Sequence, residues 1–454
     1  MRRFSRASAL AVATSPLGDR QSSRRSLRGR LLVDAAGTLA LNVTAVVLNF
    51  VVVLLLSRFL GASGYGAYAS AFAWAGILAV AAVLGLTPLV IRHVATYSTS
   101  ASWGLLRGLL RRTNQAVVVA SAVTIAAAAG IGLLIYRGRP ELWHPYLVGL
   151  ALVPLIALTA LRQAAMQGLN RVVLGRLPET VFVPALFMTL AAIGYAAAGT
   201  HFTPAAAIAV QAGATLAGFV LGAWLLHRSL PHGARAAAVE YETAAWRRSA
   251  LPLLLLNVVM AANAQVGTIM LGALDDARAA GVFNVAFRVT IFISFVLLAA
   301  SYPLSPTVAR LHAAGDTRRV EQTVVHAARL VLLVSLPVAV VLVAFAGPIL
   351  EIFGHGFSSG ATAVRIIAIG DLVNVLTGYG GLVLVMSGRE SDLTRCAVLG
   401  AVLNIGLAAA LIPHFGVNGA AVATAVALAA SNLQMTWLAW RRLDVWAAVV
   451  RLRT

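Results

Sequence analysis

The sequence contains no lysine and one cysteine, and only 11% of its 454 residues are charged. The single cysteine, Cys396, excludes an intramolecular disulfide and a cysteine-based metal site. Soluble chains carry charge on roughly a quarter of their residues, so water cannot be the solvent for most of this chain. Apolar residues make up 60% of the sequence, and the mean hydropathy is +0.87. These values predict an integral membrane protein built from helices.

Groups that carry out enzyme chemistry are also scarce. The nine histidines show no metal-ligand spacing, and no phosphate-binding glycine-rich loop is present, which excludes an ATPase. A membrane glycosyltransferase needs a carboxylate base, usually a metal, and loops large enough to hold a sugar acceptor. The one acidic pair, Asp275-Asp276, lies in a short loop and is interpreted as a helix-capping turn. We therefore predict that the chain is not an enzyme and uses no metal or cofactor.

Apolar segments long enough to cross a bilayer, about 20 residues each, recur along the chain. They lie at 33–56, 68–91, 114–136, 143–166, 178–198, 204–226, 249–273, 281–304, 324–346, 362–387, 394–413 and 417–439. The pattern predicts an all-α membrane fold of about twelve transmembrane helices.

The distribution of arginine predicts which ends of these spans face the cytoplasm. All 35 basic residues are arginine, and 29 of them lie in the first thirty residues, the even-to-odd links and the C-terminal segment. The opposite links hold four: Arg58, Arg137, Arg139 and Arg278. Short arginine-rich links stay in the cytoplasm, so we predict a multi-pass protein of the cell membrane with both termini in the cytoplasm. Because the formal charge of +20 is spread between apolar spans, nucleic acid is not an expected partner.

Charge and hydropathy also divide the chain into regions. The predicted regions are a disordered basic arm (1–30) attracted to anionic lipid, two six-helix bundles (31–228 and 249–440), a cytoplasmic linker between them (229–248) and a cytoplasmic tail (441–454). The linker 229–248 and the link 98–113 have the amphipathic pattern of helices that lie on the membrane surface.

The two halves of the sequence are similar to each other. The matching segments are SRFLGASGYGAYA (57–69) and MLGALDDARAAGVFNVAFR (270–288). Further pairs keep nearly the same offset: Gly66 and Gly281 are 215 positions apart, Pro88 and Pro306 are 218 apart, and Arg92 and Arg310 are 218 apart. The offset contains six spans, an even number, so both halves have the same orientation in the membrane. Transporters place their substrate at the interface of such parallel repeats.

These residues resemble the polysaccharide-exporter branch of the multidrug/oligosaccharidyl-lipid/polysaccharide flippase superfamily. The matching motifs are Arg58-Phe-Leu-Gly61, Gly64-Tyr-Gly66, Leu84-Gly85-Leu86 with Arg92, Ser249-Ala-Leu-Pro252, Leu271-Gly272, Gly281-Val-Phe283, Ala286-Phe-Arg288, Pro306 and Ala314-Gly315-Asp316. The resemblance implies a MATE-like fold, with two pseudo-symmetric six-helix bundles around a central cavity that opens to one side at a time.

The resemblance also implies a function. Members of this branch move a polyprenyl-pyrophosphate-linked oligosaccharide from the cytoplasmic to the outer leaflet for surface polysaccharide biosynthesis. The implied partners are this carrier-linked glycan, membrane lipids, a polysaccharide polymerase and glycosyltransferases. Relatives in the superfamily flip lipid II or export cationic drugs in exchange for cations, and both activities are kept as alternatives.

Ionisable residues within spans are costly and are therefore the first candidates for a site. Arg288 lies about 10 Å into the predicted eighth span at 1.5 Å per residue, with Asn284 one turn earlier on the same face. The planar fork of a guanidinium binds phosphate oxygens bidentately, so Arg288 is a candidate ligand of the pyrophosphate. The alternative is that Arg288 pairs with a carboxylate and locks two helices together.

Two ionisable residues occur in the predicted tenth span. Arg365 and Asp371 point to different faces, whereas Asn374 shares the face of Asp371. Asp371 is either a structural counter-ion of Arg288 or a protonatable group coupled to transport.

Amides complete the predicted cavity lining. Asn42 and Asn49 share a face of the first span, and Asn263 lies in the seventh. Such amides either join neighbouring helices or contact a sugar. A cation-driven drug exporter would need carboxylates in the cavity, but the seventh and eighth spans contain none. The pattern therefore favours an anionic substrate.

Overall fold

The computed structural model describes the backbone of residues 17–449. Side chains are described for residue 37 and for 40–449, except 200, 232, 236 and 243–256. Within this part of the chain the secondary structure is helical throughout, without strands. Residues 1–16 of the predicted arm and 450–454 of the predicted tail lie outside the described residues.

Successive helices are joined by short connections. They are α1 Leu17–Ala82, α2 Leu86–Thr99, α3 Trp103–Ile135, α4 Pro140–Gly149, α5 Leu152–Gly168, α6 Val172–Leu177, α7 Val183–Ala198, α8 Pro204–Ser229, α9 His232–Ala236, α10 Thr243–Leu274, α11 Ala277–Ala313, α12 Thr317–Ala344, α13 Ala346–Glu351, α14 Ala361–Thr377, α15 Gly380–Met386 and α16 Glu390–Leu443. A π-helical turn, Pro178–Phe182, joins α6 to α7.

Ten helices in the described residues are long and apolar enough to cross a membrane. Two of these segments are too long for one crossing, because Ala40–Ala82 has 43 residues and Glu390–Leu443 has 54. At 1.5 Å per residue they would measure about 65 and 80 Å, against about 30 Å of hydrocarbon. Each therefore crosses twice. The described helices thus provide twelve crossings, which agrees with the prediction of about twelve.

A glycine interrupts each of the two long helices. Gly61 in α1 has φ 65° and ψ 179°, and Gly416 in α16 has φ 50° and ψ −126°. Residues 49–56 and 65–73, on either side of Gly61, line the same cavity, so α1 folds back on itself. A Cβ added to Gly419 would overlap the carbonyl oxygen of Leu411, so α16 is also a hairpin.

The backbone preserves the repeat that the sequence predicts. Gly199, between the fifth and sixth spans, has φ 55° and ψ −126°, nearly the values of Gly416 between the eleventh and twelfth. Positive φ at these sites favours glycine, and the two are 217 positions apart, close to the offset of the sequence motifs. The helices form two pseudo-symmetric six-helix bundles, the first from α1 to α8 and the second from α10 to α16.

The turns lie on two faces of the molecule. We call the Gly61 face the one that holds Gly61, Arg139, the turn 275–276 and Gly416. These turns are in contact, since Arg139 reaches the carbonyl of Asp275 and a Cβ on Gly416 would lie 3.1 Å from the Asp275 carboxylate. The opposite face holds most of the link arginines and is called the arginine-rich face. The sequence predicts that the Gly61 face is outside the cell.

Two predictions at the arginine-rich face differ from the structure. Residues 103–113 are the first turns of α3 rather than a separate surface helix, and the linker 229–248 holds only the five-residue helix α9 before α10 begins at Thr243. The linker packs on α3, because the Glu240 N–H donates to the Gly104 carbonyl at 3.1 Å and a Cβ on Gly108 would overlap the Glu240 carbonyl. Leu106 and Leu109 of this segment are fully buried by protein.

The predicted basic arm is also partly structured. Because α1 begins at Leu17, residues 17–30 are helical where the sequence predicts disorder. Arginine and leucine are good helix formers, and the apolar span that follows extends the same helix.

One arginine assigned to a cytoplasmic link is buried within the first bundle. Arg162 in α5 is 4% exposed and forms an ion pair with Glu179 in the π-helical turn. Gln163 donates to the second oxygen of that carboxylate at 3.0 Å. Gly222 in α8 packs against the guanidinium, which a Cβ at that position would overlap. A buried charge is tolerated when it is paired, so these residues join three elements of the bundle.

Candidate functional site

A cavity lies between the two bundles. Both arms of the α1 hairpin, α7 and α8 line it on one side, and α10 and α11 line it on the other. Its polar and aromatic residues are Asn49, Tyr65, Tyr68, Phe72, Phe187, Gln211, Gln265, Asn284 and Arg288. Among the described lining residues, Arg288 alone is charged. Of the eight residues predicted from sequence, three line this cavity: Asn49, Asn284 and Arg288.

Arg288 lies well inside α11. It follows Ala277, the first residue of the helix, by eleven positions, which is about 16 Å along the helix axis. The helix begins four residues before the predicted span. The buried Nε has no hydrogen-bond partner. Within the part of the chain that the structure describes, the guanidinium makes no ion pair and no hydrogen bond.

Asn284 joins the two sides of the cavity. Its Oδ1 accepts a hydrogen bond from the Tyr65 hydroxyl at 2.8 Å, and its Nδ2 donates to the Thr268 hydroxyl at 3.1 Å. Tyr65 belongs to the first bundle, whereas Asn284 and Thr268 belong to the second. The side chain therefore bonds across the bundle interface one turn before Arg288.

Asp371 is buried in the second bundle and does not pair with Arg288. Its Oδ1 accepts from the Ser294 hydroxyl at 2.7 Å, and Asn374 Nδ2 donates to the same hydroxyl oxygen at 3.3 Å. Asp371 and Asn374 share a face, as the sequence predicts, but they lie between α11 and α14 and not in the cavity lining. Among the described residues Arg288 has no carboxylate partner, so the structure does not show the pairing with Asp371 that the sequence left open.

Two predicted amides bond to neighbouring helices. Asn42 donates to the Tyr302 hydroxyl at 3.1 Å, and Asn263 Oδ1 accepts from Asn404 Nδ2 at 2.9 Å. Of the two readings left open for these amides, joining helices is the one that the structure supports. Neither residue lines the cavity.

Arg365 lies outside the cavity as well. It is exposed, and its Nε donates to the Val343 carbonyl at 3.2 Å. Because α14 begins at Ala361, the arginine is one turn from the end of its helix and reaches the membrane surface.

Sequence reasoning missed the aromatic wall of the cavity. The Tyr68 ring lies 6.1 Å from Phe72 and 6.2 Å from Phe187, with interplanar angles of 7° and 11°. The Tyr68 hydroxyl donates to Gln211 Oε1 at 3.4 Å. Aromatic residues four apart occur in many buried helices, so their spacing carried no information about a cavity. Gln211 and Gln265, two amides within predicted spans that also line the cavity, were the signs that the sequence offered.

The cavity is closed towards the Gly61 face by two glycines. A Cβ on Gly66 would overlap the Ala277 carbonyl oxygen, and a Cβ on Gly281 would overlap the Ala62 carbonyl and lie 3.0 Å from Gly66 Cα. Gly66 and Gly281 are the repeat-related pair, so the pseudo-symmetry axis passes beside this contact. Backbone meets backbone here, which leaves no space for side chains between the bundles.

Two arginines add bridges around this contact. Arg139 Nη1 donates to the carbonyls of Gly272, Ala273 and Asp275 at 3.2–3.3 Å, at the C-terminus of α10, where a cation is favoured. Arg58 Nε donates to the Ile352 carbonyl at 2.8 Å. Both arginines belong to the first bundle, and all four acceptor carbonyls belong to the second. The bundles are therefore joined at the Gly61 face.

Family models match most of the chain. The polysaccharide biosynthesis protein model matches residues 31–312, and the MatE model matches residues 252–410. The probable flippase AglR of Haloferax volcanii is 26% identical over 218 residues, which cover 47% of this chain and 44% of that protein. The match thus spans less than half the length of this relative.

Solved transporters share the fold. An inward-facing multidrug resistance MATE family transporter gives a TM-score of 0.74 at 14% identity, covering 87% of this chain and 94% of that one. The lipid II flippase MurJ, in an inward closed conformation, gives a TM-score of 0.66 at 15% identity. The match covers 88% of this chain and 86% of MurJ. An outward-facing multidrug resistance MATE family transporter gives a TM-score of 0.55 at 13% identity. The match covers 90% of this chain and 94% of that one.

The fold, the repeat and the family model lead to the same assignment. The predicted MATE-like fold is confirmed, and the polysaccharide biosynthesis model covers more than half of the 454 residues. The chain belongs to the polysaccharide biosynthesis protein family and is a multi-pass membrane protein with a MATE-like fold.

Proposed function

We propose that this protein is a flippase that moves a polyprenyl-pyrophosphate-linked oligosaccharide from the cytoplasmic to the outer leaflet by alternating access. The observation that carries the proposal is the guanidinium of Arg288, which has no partner among the described residues and lies within a predicted membrane span. A buried cation without a partner is costly, and an anionic substrate supplies the missing partner. A pyrophosphate suits this role because its oxygens match the donor fork of an arginine.

The remaining lining suits a glycan beside the phosphates. Asn49, Gln211 and Gln265 present amides, and Tyr65 and Tyr68 present hydroxyls. Such groups donate to and accept from sugar hydroxyls. A cationic drug would instead meet the positive charge of Arg288 in a lining without carboxylates among its described residues. This charge balance disfavours the drug-exporter alternative.

Lipid II is the closer alternative, because it too is a polyprenyl pyrophosphate carrying sugars. The same cavity groups would serve it, and MurJ has the same fold. The polysaccharide biosynthesis family favours an oligosaccharide for a surface polymer. In this setting glycosyltransferases on the cytoplasmic side supply the substrate, and a polymerase on the outer side consumes it. The arginine distribution supports cytoplasmic termini and an outward Gly61 face.

Deletion of the gene tests the proposal in the cell. We expect the lipid-linked oligosaccharide to accumulate on the cytoplasmic leaflet and the finished polymer to be lost from the surface. The measurement is periodate or lectin labelling of the lipid-linked glycan in spheroplasts before and after lysis. A normal surface polymer with new sensitivity to cationic dyes would instead support a drug exporter. Accumulation of lipid II would support the second alternative.

A further inference from the structure

The hydrogen bond between Tyr65 and Asn284 lies where the closed face and the cavity meet. Both residues are buried, at 2% and 6% exposed, and their side chains are 2.8 Å apart. Tyr65 directly precedes Gly66, and Asn284 follows Gly281 by one turn. The bond therefore lies beside the glycine contact that closes the Gly61 face and crosses the same interface.

The same two side chains line the cavity with Arg288. Asn284 and Arg288 are four residues apart on α11 and share a face. An anion bound by Arg288 would therefore lie in the cavity that the Tyr65 hydroxyl also lines. Arg58 and Arg139 also bridge the bundles, but they bond to main-chain carbonyls at the turns and are not part of the cavity lining.

A phenol has one proton to donate, and Tyr65 gives it to the amide oxygen of Asn284. Charge-assisted hydrogen bonds to an anionic oxygen are about twice as strong as bonds between neutral groups. Phosphate oxygens at Arg288 therefore compete with Asn284 for this proton. Asn284 keeps its second bond, to Thr268, within its own bundle.

We propose that Tyr65 couples occupation of the cavity to opening of the Gly61 face. In the empty cavity its hydroxyl donates to Asn284 and holds the bundles together. When an anionic group occupies Arg288, the hydroxyl donates to that group, and the interface loses the side-chain bond beside the glycine contact. The role of Tyr65 in closure depends only on its hydrogen bond to Asn284. The loss of that bond when an anion binds rests on the function proposed above.

A cysteine in the cavity reports on closure without requiring transport. The parent protein carries Cys396→Ser and Ala69→Cys, because Ala69 lines the cavity one turn below Tyr65. A membrane-impermeant thiol reagent is added outside spheroplasts of a strain that makes no lipid-linked glycan. We expect Tyr65→Phe to raise the labelling rate about 2–10-fold, the population shift that follows from losing one hydrogen bond.

Tyr68→Phe is the matched control. It removes the neighbouring phenol, whose bond to Gln211 stays within the first bundle, so labelling should not change. Asn284→Leu removes the same cross-bundle bond from the other side and should reproduce the effect of Tyr65→Phe. If Tyr65→Phe and Asn284→Leu both label at the parental rate, the role of this bond in closure is refuted.

Proteoliposomes that hold the same variants and contain undecaprenyl pyrophosphate in both leaflets test the switch, because the lipid can then reach the cavity from the side opposite the closed Gly61 face. We expect the lipid to raise labelling of the parent and to leave the already open Tyr65→Phe variant unchanged. If Tyr65→Phe labels faster but the lipid has no effect on the parent, closure by Tyr65 stands and the pyrophosphate switch is refuted. That outcome would also count against the proposed substrate, whereas equal labelling of all variants would count only against Tyr65.

Discussion

Arg288→Ala should abolish transport of a lipid-linked oligosaccharide while the protein remains inserted and folded. Removing one partner of a buried hydrogen-bonded charge pair costs about 2–5 kcal/mol, which weakens binding by more than about 30-fold. Arg288→Lys should restore transport only in part, because an ammonium keeps the charge but loses the planar fork. The measurement is the rate of transfer between leaflets in proteoliposomes, together with the melting temperature of the purified protein.

Arg365→Ala is the control for the loss of an arginine within a span. Arg365 bonds to a main-chain carbonyl at the surface and does not line the cavity, so transport should stay near the parental rate. Normal transport by Arg288→Ala would remove the basis for the proposed substrate contact. A large fall in its melting temperature would assign Arg288 a structural role instead, which its lack of partners does not predict.

Gly66→Ala should also eliminate transport, for a conformational reason. A Cβ here would overlap the backbone of Ala277, and no side-chain rotation can relieve an overlap with main-chain atoms. The Gly61 face then cannot close, and alternating access needs both the closed and the open state. We expect transport at the background rate and faster labelling of a cavity cysteine from outside.

Gly76→Ala is the matched control for this change. Gly76 lies in the same arm of α1, and a Cβ there would have no atom within 4 Å. It should retain transport, and its helix should gain slightly in stability because alanine favours a helix over glycine. Parental transport and labelling in Gly66→Ala would show that the glycine contact is not required for closure.

The fold was largely predictable because its pattern repeats. Apolar spans and the arginine distribution gave twelve crossings, and the motifs around Gly66 and Gly281 gave the parallel repeat. The structure places these two glycines in contact beside the pseudo-symmetry axis. Hydropathy and periodicity act through local physics, so they can be recognised in a single sequence.

The site was predictable only in part. Arg288 and Asn284 were found because a charge in mid-span is costly and because one helical turn separates them. Arg365 was indistinguishable from Arg288 in the sequence, since only the position of its helix end shows that it reaches the surface. The Asn263 side chain can point either towards the cavity or towards Asn404. The rotation of its helix within the bundle decides between the two, and amino-acid composition does not determine that rotation.

The burial of Arg162 could not be predicted from the sequence either. Its position near the end of a span made it appear to belong to a link, but Glu179 and Gly222, distant in sequence, enclose it. Such partners come together only through packing of the bundle. Tertiary packing therefore decided which polar residues serve structure and which line the cavity.

The most direct test of the account is leaflet transfer by the purified protein in proteoliposomes. A polyprenyl-pyrophosphate-linked oligosaccharide is placed in the vesicle membrane, and its exposure to an external sugar-modifying reagent is followed with time. The account predicts transfer well above that of protein-free vesicles, unchanged by an excess of cationic dye. Transfer of the dye without transfer of the lipid-linked oligosaccharide would contradict it.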